Sequence, residues 1–125
     1  MTEKILIVDD DQNLAEMMKR GLVHAGYQVV IANDGKQALR TFYEERPDLA
    51  ILDVMMPYLN GFEVCQRIRE MADIPILMLT AKDSEDDILK AMEMGATDYL
   101  SKTFNLDILI KHAGVLLERS RFLQS

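Results

Sequence analysis

The chain has 125 residues, 49% of them apolar, and its 21 acidic and 14 basic side chains leave a formal net charge of −7. That length suits one domain with one real core and is too short for two, while the apolar content excludes a disordered chain. The acidic balance argues against direct nucleic-acid binding, which needs a Lys/Arg surface, and apolar runs no longer than a strand argue against a membrane span.

In chain order, apolar runs of strand length alternate with stretches of helical period. Lys4–Val8 reads as a first strand, apolar almost throughout. Leu14, Met17, Met18 and Leu22 then follow a helical stripe that Gly26 stops. Gln28–Ala32 is a second strand, followed by the stripe Ala38, Leu39, Phe42 and Tyr43, ended by Pro47. Asp48–Leu52 is a third strand, and Phe62, Cys65 and Ile68 form the next helix between Gly61 and Pro75. Ile74–Leu79 is a fourth strand. Ile88, Ala91 and Met92 mark a helix with Ser84 and Asp87 spaced as a capping box and Gly95 as its stop. Asp98–Ser101 is the last strand, and Leu109, Ala113, Leu116 and Leu117 the last helix, capped by Asn105.

Five β-α units with short connections predict an α/β, doubly wound, five-stranded parallel sheet in the order 2-1-3-4-5 with five helices. Strands apolar on both faces fit a sheet covered on both sides. The expected organisation is one domain over 1–125, with no output module in this chain. The single Cys65 cannot form an internal disulfide and Met1–Lys4 shows no signal-peptide pattern, so the cytoplasm is the expected location. Cys65, on a helix stripe, is expected to be buried and inert. His24 and His112 stand alone and read as surface or packing residues, and most of the nine methionines as core filler.

In open α/β sheets the chemistry gathers at the carboxyl ends of the strands, near the switch in strand order. There the first strand runs into Asp9, Asp10 and Asp11, the third into Asp53, the fourth into Thr80 and Ala81, and the fifth into Lys102. Clustered carboxylates repel unless a proton or cation neutralises them. Hard oxygen ligands of this kind suit Mg²⁺. A carboxylate can also accept a phosphoryl group as an acyl phosphate, with charge compensation on the phosphoryl oxygens. The Lys102 ammonium, the Thr80 hydroxyl and the Ala81 backbone N–H could supply it.

The stretches ILIVDD from Ile5, DVMMPYLNGFE from Asp53, LMLTA from Leu77 and GATDYLSK from Gly95 closely resemble receiver domains of two-component response regulators. The resemblance covers nearly the whole chain. It implies a flavodoxin-like fold and a switch in which Asp53 accepts phosphate from a sensor histidine kinase or a histidine phosphotransfer protein. It further implies that Asp9, Asp10, Asp53 and the backbone carbonyl of Met55 hold Mg²⁺ or Mn²⁺. Thr80, Ala81 and Lys102 would bind the phosphate, and Thr80 and Tyr99 would form the switch. Met55 and Lys82 would occupy the positions that tune phosphate lifetime. Such a domain catalyses its own phosphorylation and slow dephosphorylation without turning over a substrate, and acts on an output domain or target protein.

Two departures stand out. Receivers carry proline after the lysine, in a cis peptide, whereas residue 103 here is Thr. A non-proline cis bond costs about 2.5–4 kcal/mol, so the Lys102–Thr103 peptide is expected to be trans, with the lysine reoriented or its loop looser. Ile108, Gly114 and Glu118 also stand in the last helix where receivers of winged-helix transcription factors carry the charges of a dimer face. Three rival readings remain. The first is a haloacid-dehalogenase-like phosphatase using Asp9 of an Asp9-x-Asp11 motif, and the second a degenerate receiver that binds partners without phosphorylation. A flavodoxin-like cofactor binder is disfavoured because no Ser/Thr/Gly-rich loop follows the first strand.

Overall fold

A computed structural model describes residues 2–56, 59–80 and 85–124, the side chain of Gln124 excepted. The described residues form β1 (Lys4–Val8), α1 (Gln12–His24), β2 (Gln28–Ala32), α2 (Gly35–Glu45), β3 (Leu49–Asp53), α3 (Gly61–Met71), β4 (Ile76–Thr80), α4 (Glu85–Glu93), β5 (Asp98–Ser101) and α5 (Leu106–Gln124). All strand pairs are parallel, in the order β2-β1-β3-β4-β5, as expected from five β-α units.

The strands alternate between two cores because successive side chains point to opposite faces. Leu6, Val8, Ala50, Leu52, Ile76 and Met78 join Ala38, Phe42, Phe62, Val64, Cys65, Ile68 and Ala91 on one face. Ile5, Ile7, Leu49, Ile51, Leu77 and Leu79 join Ala15, Met18, Leu22, Leu109, Ala113, Leu116 and Leu117 on the other. The central strands β1, β3 and β4 are therefore apolar on both sides, the pattern of a buried parallel sheet.

Several boundaries and stripes differ from expectation. β3 begins at Leu49 and takes in Asp53, because Asp48 is used elsewhere: its carboxylate accepts the Lys4 backbone N–H at 2.8 Å. β4 begins at Ile76, since Pro75 has no N–H to give to a ladder, and it runs on through Thr80. Met17, Tyr43 and Met92 are exposed rather than buried. Each lies beside the residue that does face the core: Met18, Phe42 and Ala91. Met55 and Met71 are exposed too, so methionine here is only partly core filler, with Met18, Met56 and Met78 inside.

The helix caps follow the expected chemistry. Asp11 caps α1 by accepting the Leu14 N–H at 3.1 Å, and Asn105 caps α5 through the Asp107 N–H at 2.8 Å. Ser84, the expected start of a capping box for α4, lies outside the described residues. Gly26 and Gly95 sit at positive φ where α1 and α4 end, a conformation that glycine adopts without steric cost.

Candidate functional site

Asp53 is the last residue of β3 and continues the row of Leu49 and Ile51, so its side chain stands at the carboxyl edge of the sheet. It is 1% exposed. Its Oδ1 accepts the Met55 N–H at 3.1 Å, which turns the chain back over the carboxylate. Its Oδ2 accepts a hydrogen bond from Lys102 Nζ at 2.9 Å. Lys102 follows β5 directly, and its backbone N–H donates to the Thr80 carbonyl at 2.7 Å, so the sheet itself delivers the lysine to the acidic edge.

Asp9 follows β1 and is fully buried. Its backbone N–H donates to the Ala32 carbonyl of β2 at 3.1 Å, and its Oδ1 accepts the Asp11 N–H at 2.9 Å. Its Oδ2 stands 3.6 Å from Lys102 Nζ and has no hydrogen-bond partner among the described residues. Asp10 is exposed, yet one carboxylate oxygen each from Asp9, Asp10 and Asp53 can be chosen so that all lie within 4.8 Å of one another.

Electrostatics follow from this crowding. Burial raises the Asp9 carboxyl from 3.8 to about 6, assisted by the Asp53 and Asp10 charges and opposed by the Asp11 N–H and by Lys102. Burial likewise raises Asp53, against the hydrogen bond and charge of Lys102. Burial works against the charged form of Lys102, but the bond to Asp53 and the charges of Asp53, Asp9 and Asp10 prevail, and its ammonium is held above the usual lysine range. One lysine thus faces three carboxylates, and a buried oxygen of Asp9 is left over. Both features fit a divalent cation with hard oxygen ligands.

Thr80 ends β4 and is 2% exposed, paired in register with Ser101 of β5. Tyr99 is 36% exposed on the edge strand. Ala81 and Lys82 lie outside the described residues. The Lys102–Thr103 peptide is trans, as expected for threonine at 103, since no cis bond occurs among the described residues. Lys102 reaches Asp53 with ordinary hydrogen-bond geometry.

The contacts of several residues were not read from the sequence. Gly61 packs so closely that an added Cβ would overlap the Asp53 carbonyl and come within 2.9 Å of Val54 Cα. Its N–H donates to the Val54 carbonyl at 3.1 Å, fixing the chain beneath the acceptor. Glycine in a segment rich in turn formers is the only available signal for it. Arg69 of α3 donates to the carbonyls of Ala72, Ile74 and Gly95, tying together three segments at the opposite edge of the sheet; nothing in its spacing announces this. The hydroxyls of Ser101 and Thr103 lie 2.9 Å apart beside Lys102.

Comparison with known proteins adds a family. The model of the response regulator receiver domain matches residues 5–114. Response regulator MprA of Mycobacterium ulcerans (strain Agy99) is 44% identical over 122 residues, 97% of this chain and 53% of the relative, so the chain spans about half the length of the curated relatives it matches. Among solved structures, chemotaxis protein CheY4 of Vibrio cholerae is 36% identical with a TM-score of 0.89, over 93% of this chain and 99% of that one. The BeF3-activated receiver domain of Klebsiella pneumoniae RstA is 32% identical with a TM-score of 0.87, over 91% and 97%.

Proposed function

Because the chain belongs to the response regulator receiver family, the phospho-accepting switches of two-component signalling, we propose that Asp53 is the residue that takes up the phosphoryl group. The observation that carries this reading is the position of Asp53: a buried carboxylate at the strand end, oriented through both oxygens by Met55 N–H and Lys102 Nζ. In the transfer, a carboxylate oxygen of Asp53 attacks phosphorus, the P–N bond of the donor phosphohistidine breaks, and an acyl phosphate forms. A sensor histidine kinase or a histidine phosphotransfer protein is the donor. Hydrolysis of the acyl phosphate by water returns the free carboxylate.

Asp9, Asp10 and Asp53, with the Met55 carbonyl, would hold Mg²⁺ or Mn²⁺; the orphaned Asp9 Oδ2 and the oxygens gathered within 4.8 Å support this. Bound there, the ion would neutralise carboxylates and phosphoryl oxygens together. Lys102 supplies the protein's own positive charge at the site. Its ammonium stays protonated under its acidic neighbours and can shift from the free carboxylate to the phosphorylated one. The Thr80 hydroxyl and the Ala81 N–H are the proposed hydrogen-bond donors to the phosphate. Tyr99, in the strand paired with β4, would respond to movement of Thr80, and an output domain or target protein would read that change. No helix among the described residues is long and apolar enough to cross a membrane. A cytoplasmic location is proposed from membership of the receiver family alone.

The phosphatase alternative is weakened by Asp11, the second carboxylate of its motif. Asp11 is exposed and occupied as the cap of α1, not gathered with Asp9 and Asp53. The degenerate-receiver alternative is weakened by the retained acidic cluster with its lysine. Beryllofluoride, a phosphoryl mimic, tests the reading. With Mg²⁺ present it is expected to shift backbone amide resonances around Asp53, Thr80 and Lys102, and Asp53→Asn to abolish the shifts. Shifts that persist in Asp53→Asn would refute the assignment.

A further inference from the structure

Lys102 reaches Asp53 without the proline that receivers place after it, and the turn that carries it is closed by side-chain hydroxyls. Ser101 is the last residue of β5 and pairs with Thr80. Its Oγ accepts the Thr103 N–H at 3.3 Å and shares a hydrogen with Thr103 Oγ1 at 2.9 Å. Its carbonyl accepts the Phe104 N–H at 3.0 Å. Phe104, half-buried against the α1/α5 core, anchors the far side of the turn. Lys102 is thus bracketed: its own N–H is on the Thr80 carbonyl, and the residues either side of it are joined hydroxyl to hydroxyl.

Local hydroxyl-to-backbone bonds of this kind fix turns that would otherwise sample several conformations. Proline achieves the same by restricting φ covalently. We propose that Ser101 and Thr103 are positioning residues that hold Lys102 on Asp53, a hydroxyl clasp in the place of the missing proline. The proposal rests on the reading of Asp53 and Lys102 given above. Because the Ser101–Thr103 contact is exposed to solvent, its effect on the lysine is that of one ordinary hydrogen bond, not of a buried network.

The test is competitive trace acetylation of the metal-free protein with acetic anhydride, quantifying each lysine by mass spectrometry against the exposed Lys36 and Lys111. An ammonium held on a buried carboxylate reacts slowly. Thr103→Val, which keeps the shape and deletes the hydroxyl, is expected to raise Lys102 reactivity about fivefold, the equivalent of one hydrogen bond, and Ser101→Ala, which also removes the acceptor of the Thr103 N–H, to raise it at least as much. Thr103→Ser restores the hydroxyl and is expected to return it to the parent level. Asp53→Asn, which leaves the weaker Asp9 contact at 3.6 Å in place, serves as the reference for loss of the Asp53 bond. Thermal melts of the same variants separate a loosened lysine from a loosened fold, since reactivity at Lys102 alone must rise. Lys102 reactivity unchanged in both Thr103→Val and Ser101→Ala, with Asp53→Asn raised, overturns the clasp. Lys102 reactivity unchanged even in Asp53→Asn would instead overturn the underlying pairing, and the clasp with it.

Discussion

Lys102 Nζ lies 2.9 Å from Asp53 Oδ2 and 3.6 Å from Asp9 Oδ2, so a single ammonium bridges the ends of β1 and β3. A buried carboxylate stripped of the ammonium that pairs with it is costly. Lys102 is partly exposed, however, and water can enter when it is removed. Lys102→Met is therefore expected to lower stability by about 1–3 kcal/mol at pH 8 without divalent cations, measured by urea unfolding. Adding Asp53→Asn to that variant should recover most of the loss. If Lys102→Met costs nothing in either background, the ion pair contributes nothing.

Asp9 makes the metal-free protein sensitive to pH. Its folded-state carboxyl titrates near 6 rather than 3.8, chiefly through burial. A raised carboxylate value means that the folded state binds the proton more tightly than the unfolded state. Its contribution to stability is present below about pH 3.8 and is lost as pH rises through about 6. Asp9→Asn, which keeps the acceptor for the Asp11 N–H, is thus expected to be more stable than the parent at pH 7.5 by about 1–3 kcal/mol, with the gap closing towards pH 4. Mg²⁺ is expected to stabilise the parent and not the variant. Urea titrations across pH, with and without Mg²⁺, measure both; a gap that widens on acidification would contradict this account.

Two glycines separate close approach from mere helix placement. At Gly61 a methyl group would collide with the backbone of Asp53 and Val54, atoms that cannot move without shifting the acceptor. Gly61→Ala should cost about 2–4 kcal/mol, in the range of overpacking at a constrained site. At Gly114, within α5, the nearest obstacle is the Tyr27 hydroxyl at 3.3 Å, the free end of a side chain. Gly114→Ala should raise stability by about 0.5–1 kcal/mol through helix propensity. Thermal or chemical unfolding of the two variants shows whether their signs differ as stated.

Cys65 is buried in α3, and burial pushes its thiol up to about 11 against the opposing charge of Arg69. The thiolate is the reactive form, so an aromatic disulfide reagent at pH 8 should fail to label the folded protein and label it fully in denaturing urea. Rapid labelling without denaturant would show that α3 opens readily from the sheet.

Legibility in the sequence tracked the number of sides on which a segment is enclosed. β1, β3 and β4 read plainly because Ile5–Val8, Leu49–Leu52 and Ile76–Leu79 are apolar on both faces. With Gly26, Pro47 and Gly95 as punctuation, strand order followed from crossover geometry. The helix stripes were read too broadly: each touches the sheet along a narrow line, so Tyr43 beside Phe42 and Met92 beside Ala91 fall on the solvent side despite their apolar side chains. At the site, Asp9, Asp10, Asp53 and Lys102 were legible as chemistry at strand ends. The roles of Gly61, Arg69 and the Ser101–Thr103 pair were not. They depend on distances between segments remote in sequence, or on hydroxyls whose partners only the folded turn decides.

The central claim, that Asp53 is the phosphate acceptor, is tested most directly by trapping the acyl phosphate itself. The protein is incubated with acetyl phosphate and Mg²⁺, then reduced with borohydride, which converts a phosphorylated aspartate to homoserine. Tandem mass spectrometry of the peptides locates the change. Homoserine at position 53, absent when Mg²⁺ is withheld, is the predicted result. Homoserine at position 9, or at neither position, would contradict the account.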